Sequence, residues 1–194
     1  MEKTSIEIIE EFAKSRGIKC YSNSNGVNFS LIPHERFLNT KYIVFELEKN
    51  EKELYVVFFD SFSPKAYTGI TYSGIFLKIP ECNNEIKVSK RFWFDFRRRV
   101  KSNNSYIDKK VTIIGDNNKI DRNIINSNVI MEFLEMNKII EPLELVTIKK
   151  SESIIPELNS NNFVVIRTNT WIIEERKLAL FIEKGRELLN EIHV

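Results

Sequence analysis

The chain has 194 residues, of which 42% are hydrophobic and 11% are aromatic. This apolar content can offset the chain entropy lost on folding, so it excludes a wholly disordered protein and predicts one compact domain over residues 1–194. The formal net charge is +2, from 29 basic and 27 acidic residues. This charge is too small to indicate by itself that the chain binds a polyanion or an acidic membrane.

The N-terminal sequence and the cysteines indicate a compartment. Acidic residues interrupt the apolar positions of residues 1–17, which is not the pattern of a secretory signal. The longest wholly apolar run, residues 55–59, is far shorter than the ~20 residues that a membrane-spanning helix needs. Cys20 and Cys82 lack CxxC spacing and are expected to be reduced structural thiols. We therefore expect a soluble cytoplasmic protein without a membrane partner, and the abundance of Ile, Lys and Asn favours a bacterial source.

The first part of the chain has the pattern of one helix followed by short strands. Residues 5–15 carry apolar side chains at helical spacing, with a capping box that starts at Thr4 and a stop at Gly17. Runs rich in β-branched and aromatic residues then predict strands at residues 18–22, 27–32, 42–48, 54–60 and 67–79. Connections this short predict an antiparallel meander. In the last run, Gly69 or Gly74 is expected to mark a bend or a β-bulge, and the less favoured alternative is a strand whose glycines let a ligand or another backbone approach.

The second part of the chain alternates strands and helices. It predicts a strand at residues 111–114, a helix at 123–137, strands at 143–148 and 163–168, and a closing amphipathic helix. Asn169 or Thr170 is the expected N-cap of the closing helix, whose apolar stripe runs from Leu178 to Ile192. The predicted class is α+β, with an N-terminal helix and a meander followed by a β-α-β-β-α order. A sub-domain boundary, if there is one, would fall near residues 102–107.

The sequence contains no motif that predicts catalysis. Neither His34 nor His193 has a partner at metal-ligand spacing, and the six glycines form no phosphate-binding loop. A nucleophile pair of Cys20 or Cys82 with His34 is a less favoured alternative to structural thiols. We therefore expect a non-enzymatic protein with no catalytic residue, no metal site and no cofactor.

One set of residues weakly resembles the metal site of a Mg²⁺-dependent nuclease. Asp60 ends a predicted strand, and Glu85 and Lys87 form an acid-x-lysine motif, so that two carboxylates would hold the metal and the lysine would steady the attacking water. The order of elements around these residues is similar to that of the restriction-endonuclease-like superfamily. The motif occurs three times in the chain, and composition alone predicts roughly three, so it is not specific.

The strongest candidate for a binding surface is the basic aromatic stretch SKRFWFDFRRRVKS, residues 89–102. As a strand, it would place Phe92, Phe94 and Phe96 on one side and Trp93 on the other. As a helix capped by Ser89, it would bury a stripe formed by Phe92, Trp93, Phe96 and Val100. We favour the helix, because its basic C-terminal end would complement the helix dipole.

The helical interpretation places Phe94 among five cations on the exposed face. The candidate contact residues are Lys90, Arg91, Phe94, Arg97, Arg98 and Lys101. Aromatic and arginine side chains together are typical of protein interfaces and of surfaces that bind single-stranded nucleic acid. The alternative without a binding role is a solvated helix face with Phe94 packed under a loop.

We expect a protein or acidic partner rather than nucleic acid, because a specific nucleic-acid domain usually has a wider basic field. The sequence therefore predicts a macromolecular binding protein. Nucleic-acid binding through the same face is the second hypothesis, and the nuclease is the third.

Overall fold

A computed structural model describes residues 3–23, 39–48, 52–63, 68–82, 84–93, 99–102, 104–115, 123–151 and 153–192. The helices in these residues are α1 (Ser5–Ser15), α2 (Ser105–Lys110), α3 (Ser127–Ile139) and α4 (Glu175–Asn190). The strands are β1 (Lys19–Asn23), β2 (Asn39–Glu48), β3 (Leu54–Ser63), β4 (Thr68–Ile79), β5 (Ile86–Lys90), β6 (Val111–Gly115), β7 (Glu144–Ile148) and β8 (Asn162–Thr168). The structure confirms the predicted α+β class.

All eight strands form one antiparallel sheet. Their order across the sheet is β1-β2-β3-β4-β8-β7-β5-β6. The first four strands are sequential neighbours, as a meander requires, and β8 continues the sheet from β4. Strands from both sides of residues 102–107 therefore share one hydrogen-bonded sheet.

The two faces of the sheet differ in what covers them. Neighbouring residues of a strand point to opposite faces, so Ile43 and Phe58 belong to one face while Val44 and Val57 belong to the other. On the first face, strand residues pack with apolar residues of α1, α3 and α4 in the main hydrophobic core. On the second face, a smaller cluster packs beneath Ile155 and the 3₁₀ turn Pro156–Leu158.

Most predicted elements agree with the structure within a few residues. Helix α1 begins and ends where the periodicity predicts, and Thr4 and Glu7 form the predicted capping box. The strand predicted at residues 27–32 lies outside the described residues. Among the described residues, no helix combines the length and the apolar character that crossing a membrane requires. Cys20 and Cys82 are both free.

Two local predictions are wrong. Strand β4 pairs with β3 without a break in register, so Gly69 and Gly74 mark no bulge. Gly74 instead leaves room for the Phe76 ring, because a Cβ there would come within 2.9 Å of Phe76 Cε2. The predicted cap of α4 is also wrong. The helix begins after Glu174 with no side-chain cap, and the carbonyl of Thr170 accepts a hydrogen bond from Ser73 Oγ at 2.8 Å instead.

Candidate binding surface

The basic aromatic stretch does not begin as a helix. Ser89 and Lys90 are the last residues of β5, and Ser89 pairs with Thr112 of β6 and Glu144 of β7. Lys90, which would be the first residue of a helix capped by Ser89, is itself a strand residue and pairs with Val111. The helical prediction is therefore wrong for the start of the stretch. Phe94, Phe96, Arg97 and Arg98 lie outside the described residues.

The aromatic side chains that follow β5 are exposed. Trp93 has 91% of its surface accessible and Phe92 has 45%, whereas Val100 is buried. The predicted buried stripe is thus wrong for Phe92 and Trp93, because these residues lie beyond the end of a strand and do not face the core as a helix would have required. Tryptophan is rarely this exposed unless it is used in an interface, where it is enriched. Trp93 is therefore the main new feature of the stretch.

Two arginines at the ends of the stretch meet at one backbone carbonyl. Arg91 Nη1 donates to the Asp108 carbonyl oxygen at 2.9 Å, and Arg99 Nη1 donates to the same oxygen at 2.7 Å. Backbone hydrogen bonds hold both segments in place. Arg91 N donates to the Lys110 carbonyl at 2.9 Å, and Val100 N donates to the Ile113 carbonyl at 2.8 Å. The two ends of the stretch are thereby fixed to α2 and to β6.

The two guanidinium groups have no carboxylate partner among the described residues. Asp108 Oδ1 instead accepts hydrogen bonds from the backbone nitrogen and the hydroxyl of Ser102, both at 2.9 Å. Because both Nη1 atoms contact one oxygen, they lie no more than about 6 Å apart, and two unit charges at that distance repel by about 1 to 3 kcal/mol. The fold therefore holds two like charges close together.

Further cations lie next to the two arginines or to Asp108 in sequence. Lys90 is partly neutralised, because its Nζ lies 2.9 Å from Glu141 Oε1. Lys101, Lys109 and Lys110 are exposed. We call the set Lys90, Arg91, Phe92, Trp93, Arg99, Lys101, Lys109 and Lys110 the basic aromatic surface. Sequence reasoning missed Arg99, Lys109 and Lys110, although the run of two lysines just before a predicted strand was a visible signal.

The predicted nuclease residues do not come together. Three strands lie between β3, which carries Asp60, and β5, which Glu85 precedes and which carries Lys87. Four strand spacings amount to roughly 19 Å, whereas one metal ion needs ligands within about 2.5 Å of itself. Asp60 Oδ1 accepts from Thr71 at 2.8 Å, and Glu85 Oε1 accepts from the Lys149 backbone nitrogen at 3.2 Å. The nuclease constellation is therefore wrong.

A second cluster of charges lies on the second face of the sheet. Lys87 and Arg167 both form salt bridges with Glu144. Tyr72, whose pKa is raised to about 12 by burial, lies in the adjoining cleft of about 630 Å³ with Pro142, Glu144 and Arg167. The charges of this cluster satisfy one another, so it is a weaker candidate than the arginine pair.

Neither a metal-binding cluster nor a relative assigns a function to the chain. The described part of the chain contains no group of three or more His, Cys, Asp or Glu side chains that could hold a metal ion. His34 and His193 lie outside the described residues, so the nucleophile pair with His34 is untested. Comparisons with protein-family models, with curated proteins and with solved structures found no match. The basic aromatic surface is therefore the strongest candidate for a functional site in the described part of the chain.

Proposed function

We propose that the chain is a non-enzymatic binding protein that contacts an acidic surface of another protein through the basic aromatic surface. The observation that carries this proposal is the 91% exposure of Trp93 in a segment bounded by Arg91 and Arg99. A tryptophan with this exposure buries little of its surface in the fold, and it provides a large rigid contact area for a partner. Phe94, Arg97 and Arg98 belong to the proposed surface by their sequence position.

The proposal keeps two expectations that come from the sequence alone. We propose that the protein works in the cytoplasm without a membrane partner, and that it needs no metal and no cofactor. Two free cysteines fit a reducing compartment.

The test uses a fluorescein-labelled peptide of alternating Glu and Leu residues, with a Gln-Leu peptide as the uncharged control. We expect the Glu-Leu peptide to bind the intact chain in fluorescence anisotropy, and to bind more weakly as salt rises. Trp93→Ala should weaken binding by tenfold or more, about 1.4 kcal/mol, as for a central interface tryptophan. Met131, an exposed apolar residue of α3, provides the matched control, and Met131→Ala should leave the affinity unchanged.

The proposal fails if the Glu-Leu peptide does not bind at ~50 mM salt. It also fails if Trp93→Ala and Met131→Ala have the same effect on the affinity.

A second candidate function is binding of single-stranded nucleic acid. The observation that favours it is the addition of Lys109 and Lys110 to the basic field, since α2 packs against the segment that contains Arg91 and Arg99. Cations that track phosphates and an aromatic ring that stacks on a base are typical of such surfaces. An oligothymidylate of about 12 nucleotides tests this function. Tighter binding of the oligonucleotide than of the Glu-Leu peptide at the same salt concentration would favour nucleic acid.

A further inference from the structure

We infer that Arg91 and Arg99 form a two-guanidinium site that binds a carboxylate of an acidic segment of the partner protein. The inference rests on the proposed function, and it names the chemical group that the basic aromatic surface recognises. The site consists of the two guanidinium groups that share the Asp108 carbonyl oxygen.

Among the described residues, each guanidinium has one hydrogen-bond acceptor, the Asp108 carbonyl. A guanidinium carries five N–H donors in a planar fork, and the Asp108 carbonyl accepts one from each arginine. The fork matches the two oxygens of a carboxylate, so a carboxylate bound between the arginines gains charge-assisted hydrogen bonds from both. Because Arg91 and Arg99 donate to the same carbonyl oxygen, their guanidinium groups lie close enough for a single anion to contact both.

The site is organised before any ligand arrives. The shared carbonyl and the backbone bonds of Arg91 and Val100 fix the positions from which both side chains extend. Less side-chain entropy is therefore lost on binding than for two free surface arginines.

The local charge balance also favours an anion. The carboxylate of Asp108, the nearest acid in sequence to the shared carbonyl, is bound to Ser102. Among the described residues, no other carboxylate forms a salt bridge with Arg91 or Arg99. A bound anion removes the repulsion between the two cations, which adds to the affinity for it.

The surroundings of the site favour a carboxylate of a protein over a phosphate of a nucleic acid. Phe92 and Trp93 follow Arg91 directly and are exposed, so they can contact apolar residues that flank a bound carboxylate. The basic field is narrow, since the whole chain carries a formal net charge of only +2, whereas a specific nucleic-acid domain usually has a wider basic field. We therefore assign the site to an acidic protein segment that also carries apolar residues.

The inference is tested with the labelled Glu-Leu peptide on the intact chain. Arg91→Gln and Arg99→Gln should each weaken binding by about tenfold or more, because each removes a charge-assisted contact. Arg91→Lys and Arg99→Lys keep the charge but lose the fork, and they should recover only part of the affinity. Lys149→Gln removes an exposed cation just after β7, at the opposite end of the sheet, and should change the affinity by less than about twofold.

Loss of folding must be separated from loss of binding. Because both arginines bond to α2, thermal unfolding of each variant is measured alongside its affinity. In the unmodified chain, ¹⁵N NMR of the arginine Nε–Hε groups offers a second readout. We expect the signals of Arg91 and Arg99 to shift on titration with glutarate, whereas that of Arg186 should not.

The outcomes distinguish this inference from the proposed function. If Trp93→Ala weakens peptide binding but all four arginine variants bind like the wild type, the peptide binds the basic aromatic surface without a carboxylate site at Arg91 and Arg99. The proposed function then stands and this inference is wrong. If the wild-type chain does not bind the peptide, both are wrong. If inorganic phosphate or the oligothymidylate competes at Arg91 and Arg99 at lower concentrations than glutarate, the site is a phosphate site and the carboxylate assignment is overturned.

Discussion

Trp93 and Phe45 show how position decides the role of an aromatic residue. Phe45 lies inside β2 with no exposed surface, and its ring is in contact with those of Phe12 and Phe58. Trp93 lies three residues beyond the end of β5 and is 91% exposed. The same chemical character thus contributes to the core in one place and to a surface in the other.

This difference predicts unequal costs of truncation. Trp93→Ala should change the free energy of unfolding by no more than about 0.5 kcal/mol, as for an exposed side chain. Phe45→Ala should cost about 3 to 5 kcal/mol, because it leaves a cavity in the core. Urea unfolding of the two variants checks this. A loss of 3 kcal/mol or more in Trp93→Ala would show that Trp93 packs in the core.

The same measurement on Phe94→Ala decides whether Phe94 is exposed. We expect Phe94 to be a surface residue, so this substitution should also change the free energy of unfolding by no more than about 0.5 kcal/mol.

At the scale of elements, the contact between α4 and β4 depends on one glycine. Gly185 lies in the apolar stripe of α4, and a Cβ there would collide with Cδ1 of Ile75, a fully buried residue of β4. The glycine is therefore needed for close packing of helix on sheet, although glycine inside a helix is unfavourable by about 1 kcal/mol relative to alanine.

This contact predicts a coupling with a definite sign. Gly185→Ala should destabilise the wild type by about 1 to 3 kcal/mol, because overpacking outweighs the gain in helix propensity. Ile75→Val removes Cδ1, so in that background Gly185→Ala should be nearly neutral or stabilising. A double-mutant cycle by urea unfolding measures the difference. Equal effects of Gly185→Ala in both backgrounds would contradict the packing account.

Elements with strong local patterns could be predicted from the sequence, and those decided by distant partners could not. Helix α1 has its own capping box, and the stripe of α4 repeats over four turns. Strand β5 was not predicted, because it has only five residues and the phenylalanines that follow it are spaced as in a helix. Its pairing with β7, which begins more than fifty residues later, decides the conformation, and no local pattern reveals that pairing.

The candidate site was only partly predictable for the same reason. The sequence places Lys90, Arg91 and Lys101 in a basic stretch, and this is visible without a structure. The meeting of Arg91 and Arg99 at the Asp108 carbonyl requires β5 and β6 to be paired and α2 to end where it does. The exposure of Trp93 likewise depends on where β5 ends.

At the scale of the whole molecule, buried titratable groups predict a loss of stability at alkaline pH. Burial raises the pKa of Cys20 from its ordinary value of 9.0 to about 11, and that of Tyr72 from 10.0 to about 12. Both groups therefore ionise more readily in the unfolded chain. Their contribution to stability is complete below about pH 9 and is lost as the pH rises from about 9 to about 12.

Urea unfolding at several values between pH 8 and pH 12 checks this expectation. The free energy of unfolding should fall across that window. Tyr72→Phe should make the fall shallower above pH 10, because it removes one of the groups whose pKa burial raises, which also include Tyr21 and Tyr55. A free energy of unfolding that stays constant to pH 12 would contradict the burial of these groups.

The most direct test of the proposed binding surface is the accessibility of Trp93 with and without a ligand. The chain has two tryptophans, so Trp171→Phe leaves Trp93 as the sole source of tryptophan fluorescence. Iodide should quench this fluorescence strongly in the free protein, and saturation with the Glu-Leu peptide should protect it. Weak quenching in the free protein, or equal quenching with and without bound peptide, would contradict the account.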